Sequence, residues 1–372
     1  MLRPTDFGAV GDGRHDDSKA LNDMFSASMS YDRPAFDLTG DWYVGQKVVM
    51  QVPTGSQIVA GAISALQDAD LDAILHINLG ARSSIRGIMT ISGKKTSHLK
   101  GRNVTTGVEL QMANRCIFDG FDVSHVRRDA IKNAPYPGSN IIGAALGHIT
   151  ARFCGAHGIR GVPEHTRAST VSKMIKRIGS ANSPSQRAII DLEEHLPVWI
   201  GDFLVINGKP MDGGHICEVT SAGGTQLEVY PWPGALEGEG KWSVEALIGA
   251  GLHLIGGNTT QVTISSLLAQ YCGHALRASS LYGCHATAVT GEVVGSAVTL
   301  AGRAAALRGF SLRGLHGEIT VTDVLVAGLS VQRALIMAGA EDVVPNRNGY
   351  QIVPRTITGD RTGYIWPVTT IP

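Results

Sequence analysis

Residues 6–25 read DFGAVGDGRHDDSKALNDMF, and this stretch decides the fold. Three glycines, Gly8, Gly11 and Gly13, allow tight turns that other residues resist. Asp16 or Asp17 can then cap the free N–H groups at the start of a short helix. The apolar residues that follow lie on one face at helical spacing: Ala20, Leu21, Met24 and Phe25. A short helix with one apolar face must cover something apolar, and the open end of a β-solenoid needs such a cap.

The pattern D-F-G-A-x-G-D-G-x-x-D-D-[ST]-x-A-L within this stretch resembles the opening of the pectate-lyase-like right-handed parallel β-helix family. That family includes phage tailspike depolymerases and related surface spikes. The resemblance implies an all-β fold: a right-handed parallel β-helix with an N-terminal capping helix. Because the motif is a structural cap, it is specific for the fold and not for an activity. Its acidic residues Asp12, Asp16 and Asp17 permit a metal or catalytic site, but we expect turn and helix capping.

The rest of the chain contains degenerate repeats of the kind that stacked coils produce. An apolar-x-Gly-apolar pattern recurs in residues 85–90, 118–123 and 307–312. A second echo links Ala-Arg-Phe-Cys-Gly at 151–155 with Ala-Gln-Tyr-Cys-Gly at 269–273. Such similarity fits coils of about 20–30 residues, each of which packs its inner face against its neighbours. A β-sandwich array or a propeller is the alternative, but neither explains the capping helix.

Composition excludes several classes of protein. The 32 basic and 32 acidic side chains cancel, which argues against nucleic-acid binding, since phosphate neutralisation needs a basic surplus. The sequence contains no apolar run long enough to cross a membrane and no apolar signal core at its start. The five cysteines are widely spaced without a C-x-x-C pair, so we expect buried, reduced residues and no metal. We predict no cofactor.

Changes in composition divide the chain. We predict a cap with the first strands in residues 1–45, two parts of the β-helix in 46–166 and 246–343, and an extended tail in 344–372. Residues 167–245 are richer in charge and contain short alternating runs, which indicate an inserted small antiparallel barrel or hairpin cluster. Insertions in solenoids emerge on one face, and this is often the binding face.

Aromatic residues are concentrated in the insertion. Aromatic faces are platforms for sugar rings, but a tryptophan also builds the core of a small domain. Both interpretations stay open. If the insertion binds glycan, the expected contact residues are Trp199, Tyr230, Trp232 and Trp242, together with Arg127 from the β-helix.

One cluster could perform hydrolysis or β-elimination if the protein is an enzyme. Strand alternation directs Phe118, Phe121 and Val123 inward, which leaves Asp119 and Asp122 outside. With these two, Asp129 completes the candidate catalytic set, near His125, Arg127 and Arg128. An ordinary solvated turn explains the same charges. A second cluster, Asp191, Glu193 and Glu194, is equally explained by the start of a helix.

We expect a trimeric surface spike of a phage or phage-like particle that binds host capsular polysaccharide during adsorption. The alternative is a lyase or glycoside hydrolase of the same fold. Lys241 is the last lysine, and residues 250–340 hold only three acids, a depletion typical of subunit interfaces. The resemblance implies a homotrimer, with the tail packed on a neighbour. Since only five residues precede the motif, we expect a separate adaptor protein of the particle to anchor the spike, which is made in the cytoplasm without a signal peptide and then displayed on the particle surface.

Overall fold

The computed structural model describes residues 1–67, 69–93, 105–133, 140–157, 173–179, 188–192, 202–206, 215–223, 225–230, 242–254, 258–278, 281–301, 306–308, 311–312, 314–318, 322–327, 330–331 and 352–355. Within these ranges, 23 strands form one sheet. Its first strands are β1 (Ala35–Asp37), β2 (Asp41–Val44), β3 (Val48–Val52), β4 (Gln57–Val59), β5 (Ala62–Ala65), β6 (Ala73–Leu79), β7 (Ser84–Ser92), β8 (Thr106–Ala113), β9 (Ile117–Ser124), β10 (Ile131–Asn133), β11 (Asn140–Ile142) and β12 (Ala145–Arg152). After a second, smaller sheet, the large sheet resumes with β20 (Ala250–Leu254), β21 (Asn258–Thr260), β22 (Thr263–Ala278), β23 (Leu281–Tyr282), β24 (His285–Ala301), β25 (Ala306–Arg308), β26 (Ser311–Leu312), β27 (Leu315–Glu318), β28 (Thr322–Ala327), β29 (Ser330–Val331) and β30 (Ile352–Arg355).

The large sheet is a parallel β-helix. Each strand pairs in parallel with the equivalent strand of the next coil: β4 with β7, β7 with β9, β9 with β12, β12 with β22, and β22 with β24. Parallel strands need long connections, and here each connection is the remainder of a coil. The repeats at 85–90 and 118–123 are therefore neighbours in space, since Ile85 lies beside Phe118.

The core lies inside the coils, where residues at equivalent positions of successive coils form columns. One column runs through Ile85, Phe118, Leu146, Ile264, Ala286 and Leu312, all buried. Side-chain volume varies from Phe to Ala along it, because neighbouring layers interdigitate at close packing. Four cysteines, Cys116, Cys154, Cys272 and Cys284, are also buried and form no disulfide. Burial raises the pKa of the Cys116 thiol to about 11, which keeps this thiol protonated and unreactive.

The N-terminal cap matches the prediction. After a short 3-10 helix, Pro4–Phe7, helix α1 spans Ser18–Ser28. It buries Ala20, Leu21, Met24 and Phe25 at the end of the solenoid. Phe25 contacts Phe36 of β1, with ring centroids 5.4 Å apart. The helix therefore covers the apolar end of the first coil, as its apolar face requires.

The acidic residues of the motif are structural. Asp17 is buried, and its carboxylate accepts hydrogen bonds from the backbone N–H of Val10 and Gly11, at 2.7 and 3.2 Å. Asp16 accepts from Ser18 N–H at 3.0 Å and from Gly45 N–H at 2.9 Å, so it caps α1 and ties it to the first coil. Hydrogen bonds from the N–H groups of His15 and Arg14 lower the pKa of Asp12 to about 2. The capping interpretation is therefore the one that the structure supports.

The smaller sheet is antiparallel and closed. Its strands are β13 (Ala156–His157), β14 (Lys173–Gly179), β15 (Ala188–Leu192), β16 (Phe203–Ile206), β17 (His215–Gly223), β18 (Gln226–Tyr230) and β19 (Trp242–Leu247). Each of the six strands β14–β19 pairs with two others of the set, since β19 joins both β14 and β16. The sheet is thus a small antiparallel barrel, one of the two arrangements that the sequence predicts. The domain boundaries remain predictions.

The barrel is attached to the coil at a narrow neck. The chain leaves the β-helix after Gly155 and returns at Ile248, whose N–H donates to Gly155 O at 2.8 Å. Gly155 has φ +80°, and a Cβ atom there would lie 1.2 Å from Ile248 O. Gly249 has φ +83°, and a Cβ atom there would lie 2.2 Å from the backbone oxygen of Arg128. Only glycine fits such crossings, because a side chain would overlap the facing backbone.

The described part of the C-terminal stretch is a strand that pairs within its own β-helix. Residues Ile352–Arg355 form β30, which pairs in parallel with β28. This segment thus extends the β-helix of its own chain. The rest of residues 344–372 lies outside the described residues. The packing of this tail on a neighbouring subunit stays a prediction. The described helices include none that is both long and apolar enough to span a bilayer.

Candidate functional site

The outward side of β7, β9 and β12, and of the paired parts of β22 and β24, carries a polar face. Alternation breaks in the middle of the first three strands, as at Gly120 and Phe121 of β9, which are both buried. From Phe121 onward every second residue of β9 points away from the core, and parallel register places equivalent residues of successive coils in columns. One column is Thr90, Asp122, Thr150, Leu268 and Thr290, and the next is Ser92, Ser124, Arg152, Gln270 and Glu292. Strands lie about 4.8 Å apart, so five of them span about 19 Å. We call this surface the polar face.

Contacts on the polar face are weak and accessible. Asp122 lies 3.5 Å from the guanidinium of Arg152, and the two side chains are 34% and 48% exposed. His148 Nδ1 lies 2.7 Å from Ser266 Oγ. Gln270 donates to Glu292 in the same column as Arg152. Exposed pairs of this kind contribute about 1 kcal/mol or less, so these groups can exchange their partners for those of a ligand.

An aromatic ladder borders the polar face where the strands end. His125, Phe153 and Tyr271 follow the equivalent residues Ser124, Arg152 and Gln270. The His125 and Phe153 rings are stacked at 5.3 Å, and the Phe153 and Tyr271 rings at 5.0 Å. All three are half-buried and have φ between +54° and +57°. Bulky residues seldom adopt this left-handed conformation, and here the coil-to-coil hydrogen bonds fix it.

Two of the three candidate catalytic residues lie where the sequence predicts. Asp119 and Asp122 are both outside, while Phe118, Phe121 and Val123 are buried. Each carboxylate already has a partner. Asp119 accepts from Gly87 N–H at 2.9 Å and lies 3.5 Å from the Arg86 guanidinium. Asp122 pairs with Arg152 instead, so the two carboxylates have different partners, and their catalytic role stays a prediction.

The third candidate, Asp129, is wrongly placed by the sequence analysis. It is only 5% exposed, and it accepts a hydrogen bond from Ala250 N–H at 2.9 Å. Its carboxylate lies 3.2 Å from His253 Nδ1. Burial opposes ionisation of Asp129, but its contact with His253 and the charges of Arg128 and Arg277 hold its pKa below the ordinary value. Asp129 is therefore not on the solvent side with Asp119 and Asp122, as the sequence predicts; a catalytic role for it stays a prediction.

A buried ionic network joins the barrel to the β-helix. Asp202, next to barrel strand β16, is completely buried. Its carboxylate lies 3.3 Å from the guanidinium of Arg128, and Arg277 of β22 lies 3.5 Å from it. Phe203 packs over Gly295, where a Cβ would lie 2.0 Å from the ring. The ion pairs of Asp202 with two guanidinium groups, and the packing of the Phe203 ring on Gly295, therefore hold the barrel against the β-helix.

Two buried histidines lie beside this network. His274 is completely buried, contacts Thr299 Oγ1 through Nδ1 at 2.7 Å, and meets the Phe203 ring edge-on. Burial, with the positive charge of Arg277, holds the pKa of His274 well below its ordinary value. Burial also lowers the pKa of His253, against the opposing effect of Asp129. Both rings are therefore neutral at pH 7.

These histidines predict a loss of stability in mild acid. Below about pH 6.5 the unfolded chain protonates its histidines, whereas the folded chain resists protonation of His274 and His253. The free energy of unfolding should fall from pH 7.5 to 5.5, by up to about 1.4 kcal/mol per histidine and pH unit. Urea unfolding at several pH values measures this slope. His274→Gln keeps a partner for Thr299 and should flatten the slope, whereas an unchanged slope would contradict the prediction.

The side chains of the four predicted glycan contacts in the insertion all lie outside the described part of the chain. Trp199 and Trp232 lie outside the described residues. Tyr230 ends β18 and Trp242 begins β19, but their side chains are also outside the described part. Arg127 is half-buried beside the barrel neck. Whether these residues contact glycan stays a prediction.

The second acidic cluster is only partly described. Asp191 lies in strand β15, not at the start of a helix, and accepts a hydrogen bond from Gln226 at 3.0 Å. Glu193 and Glu194 lie outside the described residues. Among the residues described, the side chains form no group of three or more His, Cys, Asp or Glu that could hold a metal ion.

The aromatic ladder was missed, although the sequence carries a signal for it. The echo between residues 151–155 and 269–273 places Phe153 and Tyr271 at the same position of two coils. Sequence separation hides their contact, because the whole barrel lies between them. A repeat that survives such an insertion indicates neighbouring coils.

No protein family and no curated protein matches this sequence. Among solved structures, the chain is similar to ORF18 of Geobacillus virus E2, with 10% identity, a TM-score of 0.37 and coverage of 98% of this chain and 61% of that one. It is similar to the Streptococcus pneumoniae surface protein and adhesin PfbA, with 13% identity, a TM-score of 0.34 and coverage of 96% and 89%. It is also similar to the tailspike protein gp49 of Pseudomonas phage LKA1, with 10% identity, a TM-score of 0.21 and coverage of 96% and 64%. The chain thus spans about three fifths of the length of the viral ORF18 protein. Its own coil-on-coil pairing makes it an all-β protein of the parallel β-helix type, as its opening motif predicts.

Proposed function

We propose that this protein is a surface spike of a phage or phage-like particle that binds polysaccharide on the host cell. The observation that carries the proposal is the aromatic ladder along one edge of the polar face. The edges of the stacked rings form an apolar strip on which the C–H groups of sugars can pack, while the adjoining columns offer hydroxyl, amide and charged groups to sugar hydroxyls. The site therefore combines the two kinds of contact that a glycan chain requires.

Rigidity supports the same function. Two of the three ladder residues donate their backbone N–H to the next coil, from His125 to Arg152 O at 3.1 Å and from Phe153 to Gln270 O at 2.9 Å. A surface that is ordered before binding loses little conformational entropy when a ligand arrives. The columns also repeat with the coil spacing, which suits a polymer.

The carboxylates favour binding over catalysis. Carboxylates are sparse in the later coils, where residues 250–340 hold only Glu292, Glu318 and Asp323. A lyase or glycoside hydrolase remains the alternative function, with Asp119 and Asp122 as its first candidates.

We further propose a homotrimer, held on the particle by a separate adaptor protein. The scarcity of lysine and acids after residue 250 supports a subunit interface in the later coils. The barrel is a second candidate glycan surface, through Trp199, Trp232, Trp242 and Tyr230.

Gel filtration of host envelope polysaccharide, with and without the purified protein, tests this function. We expect full-length polymer that co-elutes with the protein, and light scattering on the same column should give the mass of three chains. Shortened polymer would contradict a purely binding role and make Asp119 and Asp122 the first residues to substitute. A Trp232→Ala variant that binds as the wild type does would remove this barrel residue from the binding site.

Substitution of the ladder should weaken binding. In Phe153→Ala/Tyr271→Ala, two stacking rings are lost from one edge of the polar face. We expect affinity for the bound polysaccharide to fall about tenfold or more, a loss of about 1.4 kcal/mol or more. Isothermal titration measures it. Tyr31→Ala is the matched control, because Tyr31 is an aromatic residue 54% exposed near the cap. Equal affinities of the two variants, both folded, would exclude the ladder.

A further inference from the structure

A second left-handed corner precedes the strands at their N-terminal ends. Successive coils pass through positive φ at one equivalent position, occupied in order by Arg33, Gly55, Arg82, Arg115, Gly143, Gln261 and Gly283. Five of these seven residues donate their backbone N–H to the next coil, as from Arg82 to Asn114 O at 3.0 Å and from Arg115 to Ile142 O at 2.7 Å. The geometry of the coil, and not the side chain, therefore imposes the left-handed conformation.

Arginine is an unfavourable choice at such a corner. Glycine adopts positive φ without a steric penalty, whereas an ordinary L-residue pays about 1–2 kcal/mol. Three coils of the same column do carry glycine. Arg82 and Arg115, at φ +60° and +54°, nevertheless stand in adjacent coils, about 4.8 Å apart along the helix axis. Strain together with repulsion between like charges points to a role for the two side chains.

A cavity of about 410 Å³ opens at this corner. Its lining consists of Thr54, Ala81, Arg82, Asn114, Arg115 and Ile142, with no acidic residue. Both arginines are exposed, and neither guanidinium forms an ion pair with any residue of the described chain. Asn114 Oδ1 is buried without a hydrogen-bond partner there. The amide of Asn114 can turn to offer its N–H₂ group instead.

We propose that this cavity is an anion subsite, which binds a carboxylate or sulfate group of the glycan chain held on the polar face. The inference rests on the proposed function and specifies its ligand as an acidic polysaccharide. Planar guanidinium groups bind oxyanions through paired N–H donors, and two adjacent ones share a single anion. Bound anion would also remove the repulsion between Arg82 and Arg115.

The position of the cavity joins it to the rest of the site. Strand β9 begins directly after Arg115 and Cys116 and ends directly before His125, so the anion subsite and the aromatic ladder lie at opposite ends of the same strand, on either side of the break in alternation at Gly120 and Phe121. Eight residues of extended chain span at most about 26 Å. A glycan that runs along the strands would thus meet the apolar strip of the ladder at one end and positive charge at the other.

Affinity electrophoresis of the full chain tests the subsite with defined probes. The gels contain carboxymethyl dextran, dextran sulfate or unmodified dextran of equal length, and a gel without polymer gives the reference mobility. We expect Arg82→Gly/Arg115→Gly to lower affinity for a charged dextran about tenfold, since two charge-assisted contacts are lost. The glycines should keep or raise the melting temperature, because the corner favours them. Arg14→Gln/Lys19→Gln, on the N-terminal cap, removes the same charge elsewhere and should bind as the wild type does.

Each outcome decides the proposal. Preference for carboxymethyl dextran or for dextran sulfate identifies the anion. Equal losses in the two double variants, or equal binding of unmodified dextran, would overturn the subsite. If the wild type binds host polysaccharide and the arginine variant binds it equally well, the anion subsite fails while the spike function stands. If no host polysaccharide binds but charged dextran does, the spike function fails while the subsite stands.

Discussion

Asp202→Ala should destabilise the protein by about 3–5 kcal/mol, because it leaves two guanidinium groups without their buried counter-ion. The side chain of Asp202 is fully buried, and those of Arg128 and Arg277 are only 12% and 17% exposed. Water therefore replaces the lost carboxylate poorly. Urea unfolding at neutral pH measures the change, which should appear as a lower midpoint.

Asp191→Ala is the matched control, since Asp191 is an acid of the same barrel whose bond to Gln226 lies at the surface. Its cost should stay below about 1 kcal/mol. A loss from Asp202→Ala as small as that of the control would show that the ionic network does not hold the barrel. Asp202→Asn separates charge from shape, and should lie between the two.

Gly155→Ala should have an effect of similar size, at the neck of the barrel. The new methyl carbon would lie 1.2 Å from Ile248 O, and the backbone has φ +80°. To make room for this carbon, Gly155 and Ile248 would have to move apart and break the hydrogen bond between them. We therefore expect the free energy of unfolding to fall by about 4 kcal/mol or more. Thermal unfolding measures the loss, and limited proteolysis shows whether the barrel is released first.

Gly8→Ala separates strain from overlap in this experiment. Gly8 also has positive φ, at +93°, but a Cβ there would meet no atom within 4 Å. Gly8→Ala should lower the free energy of unfolding by about 1–2 kcal/mol, which is the cost of the left-handed conformation alone. Equal losses of stability in Gly155→Ala and Gly8→Ala would contradict the prediction, because they would mean that the backbone at the neck can move to accommodate the methyl group.

The sequence predicted those features that depend on local chemistry. The cap could be read from Gly11, Asp16 and Asp17 because turns and helix starts are decided by residues close in the chain. Alternation likewise placed Asp119 and Asp122 outside, because both lie within one strand. The parallel β-helix itself followed from the resemblance and the repeats.

The errors concern contacts between distant segments. Asp129 follows a turn, where alternation no longer applies, and it is buried by Ala250 and His253 from beyond the insertion. The network of Arg128, Asp202 and Arg277 was equally hidden, because its members come from three separate parts of the chain. Only the register of the coils brings them together, and local patterns do not contain that register.

The neck has a consequence for how such proteins diversify. Both ends of the barrel meet at one hydrogen bond between Gly155 and Ile248, and the preceding coil makes the same passage with the short segment between β9 and β10. The barrel is therefore a detachable module, inserted into a coil that its neighbour completes without one. Recombination at this point could exchange the barrel for another that supplies a carboxylate to Arg128 and Arg277, while the stacked core, the polar face and both left-handed corners keep their register. A lineage of β-helix proteins could thus change the surface of the barrel and inherit the surface of the coils intact.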